Sequence, residues 1–340
     1  MSDEKLTKCE DVEGSSSIVL STMFSLTNPG EYSEKYHYSR YGNPSRNVLE
    51  ESLARLDMAN FALTYSSKMA ATLAILSTLK ADDLMISSDF LLCEKIKKLG
   101  VRGNIEHFEF YDVRKFEESF NVNTKIVWIE SLCFPFMTAL DIKSISDVIH
   151  EKSKAVLVVD NTVLTPYFLC PLKLGADIVI YSLDEFIAGH SDVKMGSVAT
   201  NDRNLYEKLK YHQTSNGVGP SPFDCFIVNR SLKTFPLRME RYADNAKNVA
   251  RFLESNSKIK KVFFEPGSGV LSFILKGYLE DLVKFSESLK YISISEVLGG
   301  VETTIDLRWM KENLIIVSVG LESFEKIKDD FDQALGKILT

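Results

Sequence analysis

Carboxylates and a histidine lie close together in the middle of the chain, in a pattern that invites comparison with a metal site. Glu185, His190 and Asp192 fall within one short segment. Side chains of these types bind divalent cations, but the three lack the sustained ligand spacing of a metal centre. We therefore expect no metal here. Three further histidines have no indicated nucleophile partner and are interpreted as surface or packed residues: His37, His107 and His150.

Apolar runs precede these polar residues and must position them. Residues 125–130, 155–160 and 177–181 are rich in β-branched side chains and are apolar on both faces, as buried parallel strands must be. A helical pattern at residues 142–151 lies between the first two runs. This alternation predicts an α/β domain in which helices cover a mostly parallel sheet.

The ends of the chain have different patterns. Residues 1–43 show little periodicity and are predicted to form an extended N-terminal arm. Pro44 suits a helix start, and the leucines that follow recur at helical spacing, so a helix is expected from Pro44. The large α/β domain is predicted to cover residues 44–232.

A smaller α+β domain is predicted for residues 233–340. A long amphipathic helix is expected at about 237–253, and strands are expected at 270–275 and 314–319. The apolar stripe of a terminal helix follows: Phe324, Ile327, Phe331, Leu335 and Ile338.

Composition narrows the partners and the compartment. The chain has 340 residues, 45% of them hydrophobic, and a net charge of −7, which argues against a nucleic-acid or anionic-membrane surface. Its five cysteines are odd in number and widely spread, as in a reduced cytosol. The N-terminus opens without an apolar signal-peptide core. We expect a cytoplasmic protein that binds small molecules or other proteins.

Two segments carry a specific resemblance to a known family. Residues 160–167 and 175–192 closely resemble the cofactor-lysine region of the pyridoxal-phosphate-dependent Cys/Met metabolism enzymes, in particular the cystathionine gamma-lyases. Other matching segments follow in the same order along the chain: 38–44, 127–131, 221–224, 229–234, 298–302 and 318–322. The resemblance implies fold type I of the pyridoxal enzymes (aspartate aminotransferase-like), usually assembled as a tetramer, with pyridoxal phosphate as the family cofactor.

The resemblance also places a glutamate where the family has its lysine. There a Ser-x-Thr-Lys-Tyr pattern precedes Gly-His-Ser-Asp, and the lysine holds the cofactor as an imine. The same register, without a gap, puts Ser182 at the serine and Glu185 at the lysine. A carboxylate has no nitrogen with which to form an imine. We therefore predict no intact catalytic residue and expect no cofactor.

Several residues that match the family's cofactor-binding positions remain. Asp160 matches the acid that pairs with the pyridine nitrogen, and Ser182 matches a phosphate-binding hydroxyl. In the family, a tyrosine and an arginine before Asn-Pro reach across the subunit boundary to the neighbour's cofactor phosphate. The cofactor-binding remnants are Asp160, Ser182, Ser67, Met69, Tyr38 and Arg40.

Other cofactor positions differ from the family. Lys68 replaces the glycine of the phosphate-binding turn, where glycine permits close backbone approach to an anion. Leu91 stands for a ring-stacking tyrosine, and Phe134 stands for an asparagine that touches the ring hydroxyl. Asp184 and Glu185 would face the phosphate, and a like-charge pair about 5 Å apart costs roughly 3 kcal/mol at an effective dielectric near 20.

The substrate side differs as well. Ile316 stands where the family has the arginine that clamps the substrate carboxylate, and Val297 replaces a serine. Two loops are shorter than in the family, near residues 265–269 and between Thr303 and Glu312. We expect a substrate pocket without its usual lid.

Two lysines border the region that matches the family's pocket and leave alternatives open. An imine relocated to Lys68 or Lys194 is one alternative. The more economical hypothesis is that Lys68 pairs with Asp184 or Glu185 and fills the vacated site with an ion pair.

The leading functional prediction is a pseudoenzyme that keeps the fold and the oligomer surface. It would be a structural or regulatory subunit in sulfur amino-acid metabolism, assembled with itself or with an active paralogue. One alternative is an active carbon–sulfur lyase of the transsulfuration pathway with an atypical site. Another is a binding module for a different small ligand in the remodelled pocket.

Overall fold

The computed structural model describes residues 17–25, 36–108 and 120–338. These residues fall into two units. The first contains the described residues up to Ser131, together with 140–184 and 193–233, and the second contains 132–139, 185–192 and the residues from Thr234 onward. The domain boundaries expected at residues 43 and 232 stay predictions, and much of the expected arm lies outside the described residues.

In chain order, the strands are β1 (Phe61–Tyr65), β2 (Leu84–Ser87), β3 (Asn104–His107), β4 (Thr124–Glu130), β5 (Leu132–Cys133), β6 (Thr138–Ala139), β7 (Val156–Asp160), β8 (Ile178–Ser182), β9 (Gly196–Thr200), β10 (Ile259–Phe264), β11 (Val270–Leu275), β12 (Ser293–Ile294), β13 (Thr304–Asp306) and β14 (Leu314–Ser318). The longer helices are α1 (Pro44–Asp57), α2 (Lys68–Leu76), α3 (Phe90–Leu99), α4 (Ile142–Lys152), α5 (Arg203–Ser215), α6 (Pro222–Leu232), α7 (Phe235–Ser255), α8 (Leu279–Ser288) and α9 (Phe324–Leu335). Within the described ranges, every helix is too short or too polar to span a bilayer.

The first unit is built on a seven-stranded sheet in the order β1-β9-β8-β7-β4-β2-β3. Strands β3, β2, β4, β7 and β8 run parallel, whereas β9 runs antiparallel to both β8 and β1. The three strands expected from the β-branched runs are β4, β7 and β8, and they are adjacent. The predicted α/β class with a mostly parallel sheet is therefore confirmed.

Local sequence explains where the first helix of this unit begins. The Asn43 side chain caps α1 by accepting hydrogen bonds from the backbone N–H groups of Ser45 and Arg46, and Pro44 is its first residue. Leu49 and Leu53 are buried at helical spacing. The helix predicted from Pro44 is therefore present, and the cap that fixes its start is a side chain of the same segment.

The second unit has a five-stranded sheet in the order β10-β11-β14-β13-β12. All neighbours are antiparallel except β12 and β13, which are parallel. Helices α7, α8 and α9 contribute to its hydrophobic core, in which the ring centroids of Phe273, Phe285 and Phe331 lie 6.1–6.3 Å apart. The predicted stripe of the terminal helix is confirmed, except that Ile338 follows the helix end.

Candidate functional site

Two polar side chains lie at the same edge of the first unit's sheet. Asp160 is the last residue of β7, and Ser182 is the last residue of β8. These strands are parallel neighbours, with Asp160 opposite Ile180, so their carboxyl ends lie side by side. Ligands of open α/β sheets bind at such an edge. The fold therefore brings together the two remnants that the resemblance singled out.

Both oxygens of the Asp160 carboxylate have partners. The Thr162 backbone N–H and hydroxyl donate to Oδ1 at 3.1 and 2.6 Å. The ammonium of Lys68 forms an ion pair with Oδ2. The Asp160 side chain is only 4% exposed, whereas the Lys68 side chain is 34% exposed. The carboxylate is thus covered by an ammonium from its own chain.

The Lys68 backbone is held by the start of a neighbouring strand. Lys68 is the first residue of α2, and the Ser67 hydroxyl caps that helix by accepting from the Ala70 N–H at 3.1 Å. A Cβ atom on Gly196, at the start of β9, would lie 2.5 Å from the Lys68 Cα and 2.6 Å from its nitrogen. Only glycine allows this approach. The tertiary structure therefore fixes the point from which the lysine side chain extends.

The partner of Lys68 differs from the one expected from the sequence. The hypothesis paired Lys68 with Asp184 or Glu185, but the structure pairs it with Asp160. The Asp184 carboxylate accepts a hydrogen bond from the Ser182 hydroxyl, so it has a partner within its own turn. Ser182 and Asp160 are consequently both engaged by side chains of the first unit.

A further carboxylate lies near this pair. Asp89 caps α3 by accepting from the Leu92 N–H at 2.8 Å. Burial raises the pKa of the Asp89 carboxyl, and the charges of Lys68 and Asp160 act on it in opposite directions. This electrostatic coupling makes Asp89 part of the same charged cluster, which sequence reasoning did not single out.

Glu185 lies where the chain leaves β8. Residues Leu183–Ile187 form a π-helical turn, and Glu185 interrupts it with a non-helical ψ of −129°. Within the second unit, the hydrogen bond with Asp306 is the largest of the causes that raise the pKa of Arg308, and the negative charges of Glu296 and Glu185 add to it. Arg308 Nε donates to Asp306 Oδ2 at 2.7 Å. The carboxylate at position 185 therefore acts electrostatically on the Arg308 guanidinium.

A buried arginine supports the segment that follows Glu185. Arg238 of α7 is 5% exposed, and its guanidinium donates to the carbonyl oxygens of Phe186 and Ile187 at 2.7 and 2.8 Å. A Cβ atom on Gly299 would lie 2.4 Å from the Phe186 nitrogen, and the φ of Gly299 is +72°. His190 Nδ1 lies 2.6 Å from the Ala188 carbonyl oxygen. Backbone contacts thus define the path of this loop.

The remaining predicted positions lie on several different elements of the two units. Leu91 is 43% exposed on α3, and Val297 is similarly exposed in the second unit. Ile316 is buried in β14, opposite Ser272 and Asp306. Phe134 precedes a cis proline. The structure shows their surroundings, and the functional roles assigned to these positions stay predictions.

Two residues expected to act across a subunit boundary are bound within their own chain. The Arg40 guanidinium carbon lies 5.4 and 4.7 Å from the ring centroids of Tyr38 and Tyr41. Its Nη1 donates to the Thr214 carbonyl at 2.8 Å. Met69, a further remnant, packs against the core of the first unit.

Sequence comparison identifies relatives along nearly the whole chain. The model of the family "Cys/Met metabolism PLP-dependent enzyme" matches residues 7–336. Cystathionine gamma-lyase of Dictyostelium discoideum is 37% identical, covering 94% of this chain and 92% of that protein. The human cystathionine gamma-lyase is also 37% identical, covering 94% of this chain and 87% of that protein.

Solved structures agree with the fold. Cystathionine gamma-lyase from yeast has a TM-score of 0.89 and 31% identity, covering 98% of this chain and 97% of that chain. The metB structure from Corynebacterium glutamicum has a TM-score of 0.88 and 32% identity, with coverage of 94% and 92%. The predicted fold type I is therefore confirmed.

The expectation that no cofactor belongs with this chain is wrong. It rested on Glu185 and on the other positions that differ from the family, whereas the matched family is defined by its dependence on pyridoxal phosphate. The side chains present fit this group in part: Asp160 and Ser182 are of types that bind a ring nitrogen and a phosphate, but the Glu185 carboxylate does not fit an imine link. Because the family model matches from residue 7 to residue 336, the chain belongs to the Cys/Met metabolism pyridoxal-phosphate-dependent enzymes.

Proposed function

We propose that this chain is a catalytically degenerate, cystathionine gamma-lyase-like protein. In this proposal it serves as an oligomeric structural or regulatory subunit in sulfur amino-acid metabolism, in the cytoplasm. The observation that carries the proposal is Glu185, which stands in the ungapped register of the family's lysine. Bound pyridoxal phosphate supplies an electron sink for carbanions, and the enzyme must hold its aldehyde carbon through an amine. A carboxylate cannot do so.

The charges around the site support this proposal. Ser182 donates to Asp184, and Asp160 pairs with Lys68, so both remnants already have partners. Glu185 acts electrostatically on Arg308. A carboxylate at this position thus adds a favourable charge beside Arg308, which an amine would not.

The substrate side supports the same conclusion. Clamping a substrate carboxylate requires a guanidinium with free donors. Ile316 offers none, because it is an apolar side chain buried in β14. Arg308 follows the end of β13, the strand that pairs with β14. Its Nε and Nη2 are bound to Asp306 at 2.7 and 2.5 Å. This guanidinium is therefore committed to a carboxylate of its own chain.

A spectroscopic experiment tests the loss of catalysis. Purified protein is mixed with pyridoxal phosphate and cystathionine, its visible spectrum is recorded, and borohydride-reduced samples are analysed by peptide mass spectrometry. We expect no turnover and no pyridoxyl adduct at position 185. Glu185→Lys should gain a reducible adduct there, whereas Glu185→Gln, which removes the charge without adding an amine, should not. Turnover by the wild-type chain with a pyridoxyl adduct on any of its side chains would overturn the proposal.

The regulatory part of the proposal concerns Tyr38 and Arg40. The chain keeps the pair that the family uses on a neighbouring subunit, which fits assembly with an active paralogue. In the free chain, Arg40 donates to the Thr214 carbonyl and stacks on tyrosines, so donation in trans requires these contacts to open.

Co-purification tests this assembly. The tagged chain should retain an active homologue from cells, and Arg40→Ala should lower that homologue's activity while leaving the complex intact. Arg203→Ala, which removes an exposed arginine paired with Glu207, is the matched control and should have no effect. A strictly homomeric species in cells would reject the regulatory role.

A further inference from the structure

An internal ion pair occupies the acid that would receive the ring of the family cofactor. Asp160 lies at the carboxyl end of β7, almost fully covered, with Lys68 on one oxygen and Thr162 on the other. A pyridinium nitrogen that binds this carboxylate must approach the oxygen that the ammonium holds. We propose that Lys68 is an intramolecular competitor for Asp160, so that a phosphorylated pyridine ligand binds only when the Lys68–Asp160 pair opens.

The backbone geometry makes the competition intrinsic to the fold. Gly196 packs against the Lys68 Cα and nitrogen, and Ser67 caps the helix that Lys68 begins. The backbone of Lys68, from which the side chain extends, therefore cannot move away from Asp160. The side chain itself is one-third exposed, so its flexible end has room to move into solvent. A fixed base with a charged end that borders solvent is what a displaceable internal ligand requires.

Charge determines the sign of the effect. An ammonium in contact with a carboxylate is largely neutralised, so it attracts a ligand phosphate weakly at longer range. Removing it frees Asp160 for a ring nitrogen and costs little phosphate attraction. Asp89, the other acid coupled to this pair, stays in place when Lys68 is replaced. The net result should favour a cationic ring.

The inference rests on the proposed function in one respect, namely that this edge of the sheet is the family's cofactor site. Pyridoxamine 5′-phosphate is the suitable probe because it has no aldehyde and cannot form an imine with any lysine. Its dissociation constant is measured by calorimetry on the full-length protein for wild type, Lys68→Met and Lys68→Gln. Turnover is not part of the measurement, so an active wild-type enzyme would refute the proposed function and leave this result independent.

We expect Lys68→Met and Lys68→Gln each to tighten pyridoxamine phosphate binding about tenfold, or about 1.4 kcal/mol. Lys68→Arg keeps a cation and should give no tightening. Lys173→Met, which removes an exposed lysine elsewhere in the first unit, is the charge-matched control and should also give none. In an Asp160→Asn background, the Lys68→Met effect should disappear.

Three results would overturn the inference. The first is an unchanged or weaker affinity for pyridoxamine phosphate in both Lys68→Met and Lys68→Gln. The second is an equal gain with Asp160→Asn present, which would show that the acid is not the shared partner. The third is an equal gain for inorganic phosphate, which would place the effect at the phosphate rather than the ring nitrogen.

Discussion

Lys68 of the first unit and Arg238 of the second are both cations that bind poorly exposed acceptors. The two acceptors differ in kind. Lys68 binds a side chain, whereas Arg238 binds two backbone carbonyl oxygens. A side-chain partner can be replaced by a ligand or removed by substitution. A backbone carbonyl cannot be removed by substitution. It is left without its donor whenever the arginine is replaced. The Lys68–Asp160 region can therefore exchange one partner for a ligand, whereas the loop bound by Arg238 must keep its backbone path.

Arg238→Met should produce the largest loss of stability. It leaves the Phe186 and Ile187 carbonyl oxygens without charged donors, and two such bonds at about 2 kcal/mol each give a loss of about 4 kcal/mol. Denaturant unfolding monitored by circular dichroism measures it. Arg241→Met is the control: Arg241 is exposed and donates to the Glu322 carbonyl at 3.0 Å, so its loss should stay within about 0.5 kcal/mol. Equal losses would remove the distinction.

Gly299→Ala should destabilise the same loop by about 3 kcal/mol. A non-glycine residue at φ +72° costs about 1 kcal/mol, and moving the Phe186 nitrogen away from a Cβ atom at 2.4 Å adds about 2. Gly100→Ala is closely matched, since its φ is +65° and nothing lies within 4 Å of the added atom. It should cost about 1 kcal/mol in the same unfolding assay. If the two substitutions cost the same, the loop path is not held by this contact.

The Lys68–Asp160 pair should behave differently in a double-mutant cycle. Lys68→Met alone should cost about 1–2 kcal/mol, because a buried carboxylate loses its counter-charge. Adding Asp160→Asn should recover most of this loss, leaving less than about 1 kcal/mol. Thermal and denaturant unfolding of all four proteins gives the coupling. Additive losses would mean that this pair is as fixed as the Arg238 contacts.

Replacing Asp330 should change stability least, and the change should depend on pH. Burial raises the pKa of the Asp330 carboxyl, but hydrogen bonds from the backbone N–H groups of Ile292, Tyr291 and Lys290 together hold that pKa below its usual value of 3.8. Because the folded pKa is lower, the stabilisation is present above pH 3.8 and is lost as the pH falls through the folded value.

The melting temperature of Asp330→Asn should therefore lie below that of wild type at pH 6, with the gap narrowing below pH 3.8. Asp329→Asn, at the exposed neighbouring carboxylate, is the control and should change the melting temperature little at any pH. A gap of constant size would mean that the carboxylate charge of Asp330 is not what these N–H groups stabilise.

The fold could be predicted because its signals are local. The runs that became β4, β7 and β8 are apolar on both faces, and Pro44 with its preceding cap fixes the start of α1. The antiparallel direction of β9 was not predicted, because direction depends on pairing between distant segments rather than on composition.

The candidate site was only partly predictable. Asp160 and Ser182 could be placed at strand ends because each follows an apolar run. The Lys68–Asp160 pair could not, because it depends on how closely α2 approaches β9 at Gly196. Arg238 was missed for another reason: an arginine in an amphipathic helix usually lies in solvent, and only the three-dimensional path of residues 186–187 makes it a backbone ligand.

The connection between β8 and β9 is closed at its base by the hydrogen bond from the Leu183 N–H to the Met195 carbonyl, at 2.9 Å. Ser182 opposite Gly196 continues the antiparallel ladder just inside it. The contacts that set the register of β8 and β9 at this end are therefore backbone contacts that do not involve the side chain at position 185. A lysine codon becomes a glutamate codon by a single nucleotide change, and after a gene duplication such a change would leave a foldable product on which selection could act for a new purpose.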